Sequence, residues 1–175
     1  ELGETIVVIT ADHGELFGED NMLAHKYSMH NGVLHVPMVV QGLADLTDGG
    51  IVQHTDILYT LLAAAGAKTE TIQGIDLRKG TREYAISQSP KDSVEPLLTE
   101  NPNYDTSQFP TEPYSLIQDS TFKYLQQPND PKLYRLPDES KNIIDNYPKI
   151  AEQLDSQLTE WLDAEGQPVE QGESI

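Results

Sequence analysis

The first apolar run of the chain, Thr5-Ile6-Val7-Val8-Ile9-Thr10, is β-branched throughout and apolar on both alternations. That pattern predicts a buried, parallel strand rather than a ribbon with one wet face. A polar, histidine-bearing stretch follows and ends on a second apolar run, His35-Val36-Pro37-Met38-Val39-Val40, closed by Gln41-Gly42. Pro37 is tolerated there because it falls near the start of a strand. After an Asp48-Gly49-Gly50 turn, residues 56–65 (DILYTLLAAA) place Ile57, Leu58, Leu61, Leu62 and Ala65 on one helical stripe. Thr55 reads as the N-cap of that helix and Gly66 as its stop. Strand, long loop, strand and helix in this order predict an α/β layer.

The second half changes period. Residues 67–80 read as loop, and 83–87 (EYAIS) as a short returning strand. Residues 89–113 are rich in Pro, Ser, Asn, Thr and acids, and predict a long irregular excursion. Tyr114-Ser115-Leu116-Ile117 and Phe122-Lys123-Tyr124-Leu125, joined by Gln118-Asp119-Ser120-Thr121, form a hairpin pattern, to which residues 132–136 (KLYRL) add a third antiparallel strand. Pro148 then introduces a helix with Ile150, Leu154, Leu158, Trp161 and Leu162 on one face. The expected organisation is an α/β part over 1–88, the irregular loop at 89–113, a small antiparallel sheet backed by one helix over 114–164, and a frayed tail at 165–175.

Composition narrows the choice of partners. The chain has 175 residues, with 29 Asp and Glu against 11 Lys and Arg, a net charge of -18. Such a surface repels polyanions, so neither nucleic acid nor an anionic membrane is an expected partner. The acids are spread along the whole chain, which suits a protein that stays hydrated in concentrated salt, where repulsion is screened. If that is their origin, a cytoplasmic location is favoured; the sequence alone does not assign one. There is no cysteine, which excludes disulfides and thiolate ligands within these residues. No run approaches the roughly 20 apolar residues of a membrane helix. The chain opens almost directly on a core strand, as the downstream part of a longer protein would.

Asp12 and His13 stand at the end of the first strand, where ligands bind in open α/β sheets. Asp12 offers carboxylate oxygens and His13 an imidazole nitrogen, and Gly14 lets the strand finish so that both can turn toward one ion. Further along come His25-Lys26, His30 and His35-Val36-Pro37. His30, His35 and His54 read as structural, and Glu15 and Glu19 as surface acids or hydrogen-bonding support for the site.

This order of Asp-His-Gly-Glu, Gly-Glu, a basic pair and a strand opening on Val-Pro resembles the sulfatase family of the alkaline-phosphatase superfamily. The likeness continues in residues 53–62 (QHTDILYTLL), similar to the family's His-x-Asp-Leu-x-Pro-Thr-Leu-Leu helix with Tyr59 in place of proline. It ends in Phe122-Lys123-Tyr124 and residues 132–136, which look like strands of the family's C-terminal domain, with Glu139 and Asn142 in register. The fold so implied is the carboxyl-terminal part of an alkaline-phosphatase-like mixed sheet sandwiched by helices, followed by a small antiparallel sheet with a C-terminal helix.

The resemblance also implies chemistry. Asp12 and His13 correspond to metal ligands. The metal would be Ca²⁺ by family likeness, although an imidazole at position 13 suits Mn²⁺ or Zn²⁺ better. Lys26 precedes Pro37 by eleven residues, the spacing of the family's sulfate-contacting lysine, and His25 falls where many relatives carry histidine. Either would place positive charge on the transferred group. The family nucleophile, a formylglycine made within Cys/Ser-x-Pro-x-Arg, has no counterpart in these residues and is expected upstream, so the 175 residues alone are expected to be inactive. The implied substrate is a small-molecule or carbohydrate sulfate ester. Two alternatives stay open: a phosphoester or phosphonate monoester hydrolase, and a non-catalytic acidic binding module.

Overall fold

The computed structural model describes residues 5–164 apart from 48, 91, 92, 104, 108 and 111. The chain forms two compact units, one from residues 5–12 with Val36–Ala85, the other from His13–His35 with residues 86–164.

In the first unit, β1 (Val7–Thr10) pairs antiparallel with β4 (Met38–Gln41), in register from Val7↔Gln41 to Thr10↔Met38. The expected buried parallel strand is therefore corrected. The β-branched run does form a strand, but among the described residues it has one neighbour, so Ile9 and its cross-strand partner Val39 are 64% and 61% exposed. Gly42 closes β4 at φ 80°, where an added Cβ would lie 2.3 Å from Thr5 O.

Val8 and Val40 of this ribbon, Ile57 and Leu61 of helix α2 (His54–Ala64), and Leu77 line one small cavity. The cap of α2 is not Thr55. Gln53 is the N-cap, and its backbone N–H donates to Asp56 Oδ2 at 2.8 Å, half of a capping box. The fully buried positions are likewise polar: Asp56 and Thr60, rather than the predicted stripe, of which Leu58 is exposed. Asp56 accepts from Ile75 N at 2.9 Å and from the Arg82 guanidinium at 2.6 Å, while Thr60 Oγ1 accepts from Leu77 N at 3.0 Å. Apolar periodicity located the helix, but the segment 75–82 docks on it through hydrogen bonds.

The second unit holds a short hairpin, β2 (Leu16–Phe17) with β3 (Leu23–Ala24), one turn of helix α1 (Asn31–Leu34), and a sheet in the order β5 (Ala85–Ser89), β6 (Tyr114–Gln118), β7 (Phe122–Gln126), β8 (Lys132–Arg135), with β6–β7 and β7–β8 antiparallel. The predicted hairpin is present. Asp119 Oδ1 accepts from the backbone N–H of Thr121 and Phe122 at 2.6 and 2.7 Å, which closes the turn. The strand expected at 83–87 lies two residues later, and the excursion at 89–113 contains helix α3 (Glu95–Glu100), with a proline in its first turn.

Helix α4 (Pro148–Ala164) buries Ala151, Leu154 and Leu158 and packs on β6 and β7. Tyr124 Oη donates to Asp155 Oδ1 at 2.9 Å, and burial pushes that phenol above its ordinary range. The tail expected to fray from Glu165 lies outside the described residues. No helix among those described is long and apolar enough to cross a membrane.

Candidate functional site

The end of β1 is held by two hydrogen bonds within the first unit. Thr10 Oγ1 donates to Pro37 O at 2.9 Å, and His54 Nε2 lies 2.9 Å from Ala11 O. A carbonyl only accepts, so the second contact requires the proton on Nε2 of His54. Asp12 follows at a bend, exposed to solvent, as the last residue of the unit's first segment. The helix-entrance position read for His54 is correct, but spacing carried no sign that its ring steadies the peptide before Asp12.

His13 begins the second unit. Its Nδ1 lies 2.8 Å from Gly14 O and so carries the proton of the neutral ring, which leaves the lone pair on Nε2. Gly14 donates its N–H to Val33 O at 2.7 Å, and a Cβ there would fall 2.1 Å from Gly32 O. Only glycine fits this close approach, and it fixes the backbone from which His13 and Glu15 project.

The β2–β3 ladder has two rungs, Phe17↔Leu23 and Leu16↔Ala24. One residue beyond the last rung, Glu15 faces His25, and Glu15 Oε1 lies 2.7 Å from His25 Nδ1. The His13 and His25 rings stack with centroids 4.0 Å apart and planes 27° from parallel. His13, Glu15 and His25 can each offer a ligand atom within 4.8 Å of the others'. Thus a residue read as a metal ligand and one read as catalytic are brought together, joined by a glutamate read as surface or support. Adjacency to Asp12 singled out His13 in the sequence; the hairpin register that sets Glu15 against His25 was not visible there.

Lys26 lies exposed on the turn that follows. Tyr27, at φ 64°, donates its hydroxyl to Ser93 O at 3.0 Å and packs its ring on Phe109 at 4.8 Å. Segment 89–113 therefore rests against the basic pair's own turn. Beyond it, Met29 enters a core with Tyr114, Leu116 and Leu125. The fully buried Lys123 donates from Nζ to Met29 O, to Asn31 Oδ1 at 3.0 Å and to Glu139 Oε2 at 2.6 Å. His30 is structural, as read. It is the N-cap of α1, and its Nδ1 accepts from Gly32 N at 2.9 Å. His35 ends the same helix, donating its backbone N–H to Asn31 O at 2.9 Å.

No protein-family model matches the chain. Arylsulfatase K of Xenopus laevis is 29% identical over 178 residues, covering 93% of this chain and 32% of that protein. Among solved structures, the phosphonate monoester hydrolase of Silicibacter pomeroyi superposes with a TM-score of 0.67 at 17% identity, over 91% of this chain and 35% of that one. A protein solved in complex with its substrate D-glucosamine-2-N,6-O-disulfate superposes with a TM-score of 0.70 at 21% identity, over 98% and 37%. Both structural likenesses are of fold, and the chain spans about a third of the length of the relatives it matches. Over most of its length the chain is similar to the sulfatases, and it matches a partial region of them.

Proposed function

We propose that these residues supply part of the active site of a metal-dependent hydrolase of sulfate esters. The observation that carries the reading is the likeness to arylsulfatase K along 93% of the chain. Asp12 and His13 are the residues that would hold a divalent ion, whose chemistry there would be Lewis-acid polarisation of the sulfate. Lys26 or His25 donates a charge-assisted hydrogen bond to an ester oxygen as negative charge grows on it. Glu15, hydrogen-bonded to Nδ1 of His25, orients that ring. The chain contains no cysteine and no Cys/Ser-x-Pro-x-Arg motif, so in this reading a formylglycine nucleophile comes from outside these 175 residues.

A carbohydrate sulfate is the favoured substrate class, supported by the fold likeness to the protein solved with a disulfated glucosamine. Phosphonate or phosphate esters are the second reading, favoured by His13 and by the likeness to a phosphonate monoester hydrolase. The test is turnover of an aryl sulfate and an aryl phosphonate monoester by the full-length protein with Mn²⁺ or Ca²⁺, beside Lys26→Ala and His25→Ala. Faster sulfate turnover, with one variant reduced about 100-fold, is the expected result, that being the size of effect seen when a charge-stabilising donor is lost. Preferred phosphonate turnover would move the assignment to the second reading. Turnover of neither ester would leave the acidic binding module.

A further inference from the structure

We propose that Tyr27 is a positioning residue: anchored on segment 89–113, it holds the turn from which Lys26 reaches the transferred group. The inference deepens the sulfate-facing role given to Lys26 above and rests on it. Tyr27 acts through the lysine and needs no contact with substrate.

The turn is fixed at both ends. Ala24 pairs with Leu16 in the β2–β3 ladder, and Met29 is buried with Tyr114, Leu116 and Leu125. Within the turn, His25 is held by Glu15 at 2.7 Å and by its stack on His13. Lys26 is exposed, so the course of the backbone on either side sets where its ammonium can go.

That course is unusual. Ala24 and Tyr27 bracket the basic pair at φ 75° and 64°. A Cβ makes this left-handed region unfavourable, and an aromatic residue stays there only where its surroundings hold it. Two contacts do so. The Tyr27 hydroxyl donates to Ser93 O at 3.0 Å, across 66 residues of sequence, and its ring meets that of Phe109 at a centroid distance of 4.8 Å and a tilt of 39°. Both partners are themselves held: Phe109 is 6% exposed, and Ser93 Oγ accepts from Glu95 N at 3.3 Å at the head of α3. A turn that needed only its φ would be served better by glycine. The tyrosine adds what glycine lacks, a side chain that ties the turn of Lys26 to a segment far away in sequence.

Inorganic sulfate is the probe, its affinity for the full-length protein being read by calorimetry in a double-mutant cycle. Tyr27→Gly keeps the backbone angle accessible and removes the anchor, and should weaken sulfate binding about 10-fold, the scale of a lost hydrogen bond to a charged group. In the Lys26→Ala background the same change should do almost nothing, because Tyr27 then has no lysine to position. Tyr27→Phe keeps the ring on Phe109 and spares the fold; it should lose about 3-fold and show the same dependence on Lys26. Sulfate binding unchanged by both Tyr27 variants would overturn the inference, and so would equal losses with and without Lys26, the mark of a merely structural residue. If the wild type binds no sulfate, or Lys26→Ala binds it as the wild type does, the sulfate-facing reading of Lys26 falls first and takes this inference with it.

Discussion

Lys123 Nζ lies 2.6 Å from Glu139 Oε2, and both side chains are sealed from water, at 0% and 4% exposure. Glu139 Oε1 also accepts from Asn31 N at 2.8 Å, so one buried carboxylate ties β7 to the segment that follows His25 and Lys26. A charge buried this deeply persists only because its partner and hydrogen bonds are in place. Lys123→Met strands Glu139 and is expected to cost about 3–5 kcal/mol, read from the denaturation midpoint. Lys123→Met with Glu139→Leu should cost less than either single change. A double variant whose loss equals the sum of the two single losses would show that the pair is not coupled.

A second carboxylate does the same for the first unit. Asp56 is fully buried and holds Gln53 N, Ile75 N and Arg82. Asp56→Asn exchanges one acceptor for a donor facing donors, at an expected cost of about 2–3 kcal/mol. Thr55→Ala, at the position that the pattern of polar and apolar residues marks as the cap, should fall within about 0.5 kcal/mol of wild type. Urea unfolding of the two variants separates the residue that completes the capping box from the apparent cap.

Acid stability should depend on Asp76. Hydrogen bonds from Arg78, at 2.8 Å to each carboxylate oxygen, hold its pKa down to about 2 from an ordinary value of 3.8. A carboxylate depressed in the folded state stabilises fully above its unfolded pKa and loses that contribution as pH falls through the folded value. Between pH 4 and pH 2 the wild type should therefore lose on the order of 1 kcal/mol that Arg78→Met has already lost at neutral pH. Parallel acid curves for the two proteins would refute this role.

Salt should stabilise the protein. With a net charge of -18, self-repulsion opposes the folded state and is screened as ionic strength rises. Thermal unfolding in increasing KCl should shift upward through the molar range, and a midpoint independent of salt would argue against salt adaptation.

How far the sequence carries depends on which force places each residue. The hairpin Tyr114–Gln118 with Phe122–Gln126 and the helix Pro148–Ala164 were legible because alternation and a helical stripe report burial directly. The pairing of Val7–Thr10 was not, since a β-branched run specifies a strand but not the direction of its neighbour. At the site, adjacency singled out Asp12 and His13 and the polar loop singled out His25 and Lys26. The Glu15–His25 contact depended on a two-rung ladder with no turn motif to announce it. Lys123 looked like an ordinary strand lysine, because alternation cannot reveal that Glu139 lies buried beside it.

The proposed function stands on a divalent metal site that includes Asp12. Its decisive test is calorimetric titration of the full-length protein with Mn²⁺, Ca²⁺ and Mg²⁺, beside Asp12→Ala. The wild type should bind at least one of these ions saturably, and Asp12→Ala should bind it far more weakly or not at all. If the wild type binds none of them more tightly than the variant does, Asp12 is not a metal ligand and the proposed function loses its basis.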